Sequence, residues 1–238
     1  MKTYQLICGH DGRAVVSGVT FTLAPGECVL LAGRNGSGKT TLLKTLAGVL
    51  KPLGGTLDAG GKVSMIPTGI PKVRGFTLES FIRTGCYREF GAGSKVPPDT
   101  VALMDRAMEI LGIEVLRDKD IASLSDGEFQ LGCIATALSR RCDWMLLDEP
   151  VGFLDTDNRA MVLRTLSRTA RETGTGIIFS SHEVLEAARV ADRVFAIGPD
   201  GSFQASPGTS SMTPTDSPGT PPGLSDRLDT LRHAFRSL

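Results

Sequence analysis

Neither sign of charge is in excess along this chain: 26 Lys and Arg stand against 26 Asp and Glu in 238 residues. Nothing in that balance draws the whole molecule to nucleic acid. Long apolar runs are missing as well. Without a stretch of about 20 apolar residues no segment reads as a bilayer span, so a membrane role has to come through a partner. Metal-type cysteine spacing is also lacking: Cys8, Cys28, Cys86, Cys133 and Cys142 form an odd, scattered set. Such a set suits a reducing compartment, and Cys133 and Cys142 read as small core residues in apolar surroundings. No signal-peptide pattern opens the chain, because Met1-Lys2-Thr3-Tyr4 runs straight into strand-like residues. What is present is 41% apolar content, enough for one large α/β domain or a domain with a smaller subdomain.

The run Gly33-Arg34-Asn35-Gly36-Ser37-Gly38-Lys39-Thr40 fits G-x-x-x-x-G-K-[ST], a loop that cradles nucleotide phosphates. Glycines let backbone N–H groups approach a triphosphate with no Cβ in the way. Lys39 can then reach the β- and γ-phosphates, and the Thr40 hydroxyl can take a place on Mg²⁺. The flanks agree. Residues 27–32 form a short apolar run that reads as a buried strand, and residues 40–47 have apolar residues at helical spacing with Gly48 as a stop. Strand, loop and helix N-terminus together put the positive end of a helix dipole at the phosphates.

Elsewhere the pattern alternates. Residues 4–8 and 14–23 read as strands, with Pro25-Gly26 as a turn, and residues 56–67 read as a strand pair broken at Ala59-Gly60-Gly61. The middle is helical: Thr77 is an N-cap for the helix that opens at Leu78, and residues 104–111 are amphipathic with Gly112 as the stop. Residues 143–147 and 176–180 read as strands on either side of a helix over 159–172. This order predicts a mainly parallel sheet with a helical insertion as a second lobe. Residues 1–204 form the predicted domain, with the helical lobe at about 72–140. Residues 205–223, dominated by Ser, Thr, Pro and Gly, read as a linker. Leu224, Leu228, Leu231, Phe235 and Leu238 then fall three or four apart in a short amphipathic helix over 224–238, with Ser225 as its N-cap. That helix either packs back on the domain or docks a partner.

Two further motifs carry chemistry. Trp144-Met-Leu-Leu147 ends in Asp148-Glu149-Pro150, and in a phosphate-loop enzyme a strand-end Asp holds Mg²⁺ while the next carboxylate can polarise an attacking water. Leu124-Ser125-Asp126-Gly127-Glu128 reads as a helix start, with Ser125 capping and Glu128 three residues on. It also offers a hydroxyl and a bare N–H to a phosphate.

With these motifs in this order the chain resembles the ATP-binding cassette (ABC) ATPases over residues 4 to about 200. The resemblance implies the α/β P-loop NTPase fold of that family: a mainly parallel core sheet, an N-terminal antiparallel β subdomain and a helical subdomain. It implies ATP and Mg²⁺ as cofactors and a head-to-tail dimer in which the 124–128 signature of a second copy caps the nucleotide. ATP would be bound by Gly33, Arg34, Asn35, Gly36, Ser37, Gly38, Lys39, Thr40 and Thr41, by Ser125 and Gly127 of the other copy, and by His10 stacking on adenine. Mg²⁺ would sit at Thr40, Asp148 and Thr68. Catalysis would fall to Glu149, His182 and Lys39, with Phe153-Leu154-Asp155 communicating between the paired sites. Thr68 stands where the family has a glutamine and lacks its reach and two-sided amide; His10 stands where an aromatic is common; Asp126 and Glu128 replace glycine and glutamine of the signature.

Residues 77–88 are similar to the T-V-x-x-x-V-x-x-G-R-Y-P segment of importers for iron-siderophore, haem and cobalamin. The implied function is the ATP-hydrolysing subunit of such an importer, with chelated ferric iron as the favoured cargo. Its partners would be integral membrane permease subunits and, indirectly, a periplasmic or surface substrate-binding protein. It would lie peripherally on the cytoplasmic face of the cell membrane and bind no nucleic acid. Alternatives are a soluble ABC ATPase of iron–sulfur cluster assembly and a weakly hydrolysing, nucleotide-gated regulatory subunit.

Overall fold

A computed structural model describes residues 1–90, 95–207 and 223–235. The chain opens with a hairpin of β1 (Lys2–His10) and β2 (Arg13–Thr22), paired antiparallel. Asp11 and Gly12 turn it, both with positive φ (51° and 72°), the backbone that an Asp-Gly dipeptide supplies to a two-residue turn. Leu6 and Cys8 face Val16, Val19 and Phe21 in a buried layer. A third strand, β4 (Gly54–Asp58), pairs with the far side of β1, giving a small antiparallel sheet in the order β2-β1-β4.

The larger sheet holds β3 (Cys28–Gly33), β5 (Val63–Ile66), β6 (Trp144–Leu147), β7 (Gly176–Ser180), β8 (Arg193–Ile197) and β9 (Phe203–Ala205). Its order is β5-β6-β7-β3-β8-β9, parallel throughout except for the antiparallel edge strand β9. β3 is buried on both faces, as parallel strands are. Val29 and Leu31 point to Leu42, Leu43 and Leu46 of α1 (Lys39–Leu46). Cys28, Leu30 and Ala32 point to Val162, Leu163 and Leu166 of α5 (Thr156–Thr173). Trp144 lies against Gly176, where an added Cβ would meet the ring at 2.2 Å.

The helical lobe is α2 (Leu78–Phe90), α3 (Pro98–Leu111) and α4 (Asp126–Leu138). Thr77 caps α2 as expected, its Oγ1 accepting from the Ser80 N–H at 3.2 Å, and Gly112 ends α3 in the left-handed region. Gly132 of α4 admits Leu78 of α2, whose Cδ1 would lie 2.6 Å from a Cβ there.

Three sequence expectations need correction. Residues 56–67 do contain two strands, but β4 and β5 belong to different sheets, and the break at residues 59–61 is where the chain crosses between them. The linker does not begin at 205, because Ala205 ends β9 and the buried Ser206 accepts from the Arg193 guanidinium and from the Val194 N–H. Residues 208–222 lie outside the described residues. Ser225 is not a cap, since α7 (Leu224–Phe235) already begins at Leu224. α7 packs on β8 and on α6 (Val184–Val190), with Leu231 buried and Leu228 against the main core; Leu238 lies outside the described residues.

Candidate nucleotide-binding site

Four adjacent parallel strands end at one place. Gly33 closes β3, Asp148 and Glu149 follow β6, Ser181 and His182 follow β7, and Thr68 lies two residues past β5. The carboxyl ends of parallel strands are where open α/β sheets gather ligands. A cavity of about 530 Å³ opens there, lined by Asn35, Gly36, Gly38, Lys39, Thr40 and Thr41 of the loop and first turn of α1. His10, Val15, Thr68, Asp148, Glu149 and His182 complete its wall.

The loop owes its shape to Gly38, which has φ 103° and would put a Cβ 2.5 Å from Val16 and 2.7 Å from Val15. No side chain caps α1 and no acid occupies its first turn, so its leading N–H groups remain free for an anion. The buried Ser37 hydroxyl has no partner. Lys39 Nζ donates to the carbonyls of Gly33 (2.9 Å) and Arg34 (3.2 Å). Burial lowers its pKa, while Glu149 and Asp148 push it back up.

At the end of β6 the two acids are treated differently. Asp148 is buried and satisfied: one oxygen accepts from Thr40 Oγ1 at 2.7 Å, the other from Ser180 Oγ at 2.9 Å. Ser180 in turn accepts from the Glu149 N–H at 2.8 Å. Glu149 itself has φ 53°, a strained conformation for a residue with a side chain. Neither of its carboxylate oxygens has an aligned hydrogen-bond partner. His182 Nε2 lies 3.2 Å from Oε1 and Lys39 Nζ at 4.0 Å, in ion-pair range. Burial raises the Glu149 pKa; His182 and then Lys39 oppose the rise, and Asp148 adds to it. A buried carboxylate without its full complement of donors, beside a histidine, is arranged to take a proton.

The site fits Mg-ATP. Thr40 and Asp148 supply hard oxygen donors of the kind Mg²⁺ takes, and the uncapped α1 suits phosphates. His10 lies exposed at the mouth, its Nδ1 3.4 Å from Asp11. Gly33, Arg34 and Ser37 shape the loop but do not line the cavity. Ser125 and Gly127 do not line it either. Ser125 caps α4, its Oγ accepting from the Glu128 N–H while Glu128 accepts from the Ser125 N–H. Lys72 Nζ lies 2.7 Å from Asp126 and donates to the Leu124 carbonyl, and Gly127 lies against the Phe153 carbonyl, 3.3 Å from where its Cβ would be.

Motifs alone single out neither Ser180, which holds both acids, nor Gln130, whose amide donates to the Pro150 carbonyl at 2.8 Å. The signal for Ser180 is a hydroxyl closing the apolar run Gly176-Ile-Ile-Phe-Ser180. Among the described residues no cluster of His, Cys, Asp and Glu is arranged to hold a metal ion, and no helix is long and apolar enough to cross a membrane.

Comparison with known proteins places this geometry. The family described as "ABC transporter" matches residues 16–152. The zinc import ATP-binding protein ZnuC of Roseobacter denitrificans is 32% identical over 192 residues, 79% of this chain and 71% of that protein. The probable siderophore transport system ATP-binding protein YusV of Bacillus subtilis is 27% identical over 210 residues, 83% of this chain and 76% of that one. In fold, the chain superposes on an inward-facing metal-chelate type ABC transporter with a TM-score of 0.80 and 22% identity, covering 99% of this chain and 88% of the other.

Proposed function

The chain belongs to the ABC transporter ATP-binding family, and from that membership we propose that it energises uptake of a chelated metal, with ferric siderophore as the favoured cargo. It binds and hydrolyses ATP. The observation that carries the catalytic reading is the buried Glu149 carboxylate, 3.2 Å from His182 and 4.0 Å from Lys39 on the wall of the phosphate-loop cavity.

Lys39 exchanges the Gly33 and Arg34 carbonyls for the β- and γ-phosphate oxygens. Thr40 and Asp148 would hold Mg²⁺, which would supply positive charge against the phosphate oxygens. Glu149 accepts a proton from the attacking water, and its raised pKa brings it closer to working pH than an ordinary carboxylate. His182 keeps Glu149 oriented and donates to the γ-phosphate. Ser125 and Gly127 close over the ATP of a second copy, a reading supported by their position outside their own chain's cavity. Membrane permease subunits receive the resulting motion at the cytoplasmic face, and a substrate-binding protein delivers cargo from the other side.

The segment 77–88 and the siderophore relative support chelated iron. The 32% identity to a zinc import protein favours a second reading, divalent zinc. Proteoliposomes holding the chain with its permease and substrate-binding protein separate the two: ATP hydrolysis is expected to rise with ferric siderophore, whereas a rise with zinc alone selects the second reading.

A further inference from the structure

Arg159 joins two loops that the nucleotide site needs. It sits in the first turn of α5, behind the cap in which Asp155 accepts from the Asn158 N–H at 2.8 Å. Its side chain is about four-fifths covered. Nη2 donates to the Leu154 carbonyl at 3.2 Å, and Nη1 pairs with Glu183 Oε1 at 3.0 Å and lies 4.0 Å from Glu186. Leu154 is the middle residue of the 153–155 loop, and Glu183 directly follows His182.

The contacts form a closed circuit. From Glu149 the chain turns sharply, Gly152 N–H donating to the Glu149 carbonyl and Leu154 N–H to that of Val151. Arg159 carries the path from Leu154 to Glu183, whose own N–H is held by Ser181 Oγ at 3.1 Å. His182 then faces the Glu149 carboxylate and completes the ring. His182 is half exposed, so its own packing does not fix it, whereas the strained Glu149 backbone is held by Ser180 at its N–H and by Gly152 at its carbonyl. The planar fork of a guanidinium can hold a carbonyl and a carboxylate at once in a set geometry, which an ammonium cannot.

We infer that Arg159 is a positioning residue that holds His182 against Glu149 and ties that pair to the 153–155 loop, so that contact of this loop with a second copy is felt at the catalytic carboxylate. The inference rests on hydrolysis at Glu149. It also makes Glu183 its obligatory partner.

Steady-state hydrolysis by the full chain tests it. Arg159→Ala is expected to lower kcat about tenfold, since small misplacements of catalytic groups cost that much or more, with KM for ATP changed by less than about twofold. Arg159→Lys should recover only part of the loss. Glu183→Gln, at an exposed position, should fold normally and reproduce the kcat loss, and adding Arg159→Ala to it should cost nothing more, because both act through one contact. A wild-type kcat in Glu183→Gln, a loss confined to KM, or losses that multiply in the double variant would overturn the assignment. Wild type and Glu149→Gln run alongside keep the two readings apart: if the wild type hydrolyses ATP and Glu149→Gln does not, a normal Arg159→Ala rejects this role alone.

Discussion

The phosphate loop and the start of α4 are built on opposite terms. Around the loop, charges are buried and partly unsatisfied: neither Glu149 oxygen has an aligned side-chain donor, and Lys39 borrows two carbonyls. At the start of α4 nothing is left wanting, because Ser125 and Glu128 satisfy each other and Lys72 pairs with the exposed Asp126. Buried unsatisfied groups are costly unless a ligand completes them. The first region is therefore a site awaiting a ligand, and the second a finished surface, which the proposed pairing would bring to the site of another copy.

Removing the waiting carboxylate should break this contrast most sharply. Glu149→Gln is expected to lower hydrolysis at least about a hundredfold, the usual worth of a general base, while leaving ATP binding intact. Gel filtration with Mg-ATP should then show a dimer, and a persistent monomer would refute head-to-tail closure. Next in size is a mixing experiment. Lys39→Ala disables the loop and Ser125→Arg disables the surface, so each copy alone should be inactive. Mixed, they should regain hydrolysis, because one of the two shared sites in the heterodimer carries neither change; no recovery would mean each chain works alone.

The acid limb sharpens the comparison further. Because burial raises the Glu149 pKa, the folded chain holds a proton there at pH values where the unfolded chain has lost it, so stability falls as pH rises through that window. Glu149→Gln should therefore unfold at a higher temperature than wild type at neutral pH, and the gain should vanish as pH drops below the ordinary carboxylate value. The chain should instead lose stability at neutral pH when Glu128, whose carboxyl the Ser125 N–H and hydroxyl hold below the ordinary carboxylate range, is replaced by its amide. The smallest effect is expected at Thr68, on the cavity wall. Thr68→Gln should change permease-stimulated hydrolysis by about threefold, the worth of one hydrogen bond, with identical rates counting against any role in coupling.

Much of this was legible from local chemistry. The loop, the strand-end acids and the capping start of α4 are set by residue type at fixed spacing, and Thr77 and Gly112 bound their helices because caps act within one turn. Pairing between distant strands has no such local signature: β4 and β5 read as partners because they are neighbours in sequence, yet β4 completes the small sheet and β5 the edge of the large one. The same reason hid Ser180 and Arg159, whose meaning comes from groups 24 to 32 residues away. Composition misled at 205–206, where a Ser-rich stretch begins while the chain is still pairing with β8.

The lone tryptophan of the sequence lies buried on the strand that delivers both acids, over Gly176 of the neighbouring strand and with no hydrogen bond to its indole N–H. Such a ring emits as a single fluorophore whose colour and intensity report its immediate surroundings. The molecule thus carries an intrinsic optical probe four residues from Asp148, which reports the packing of the strand behind the acids without a label.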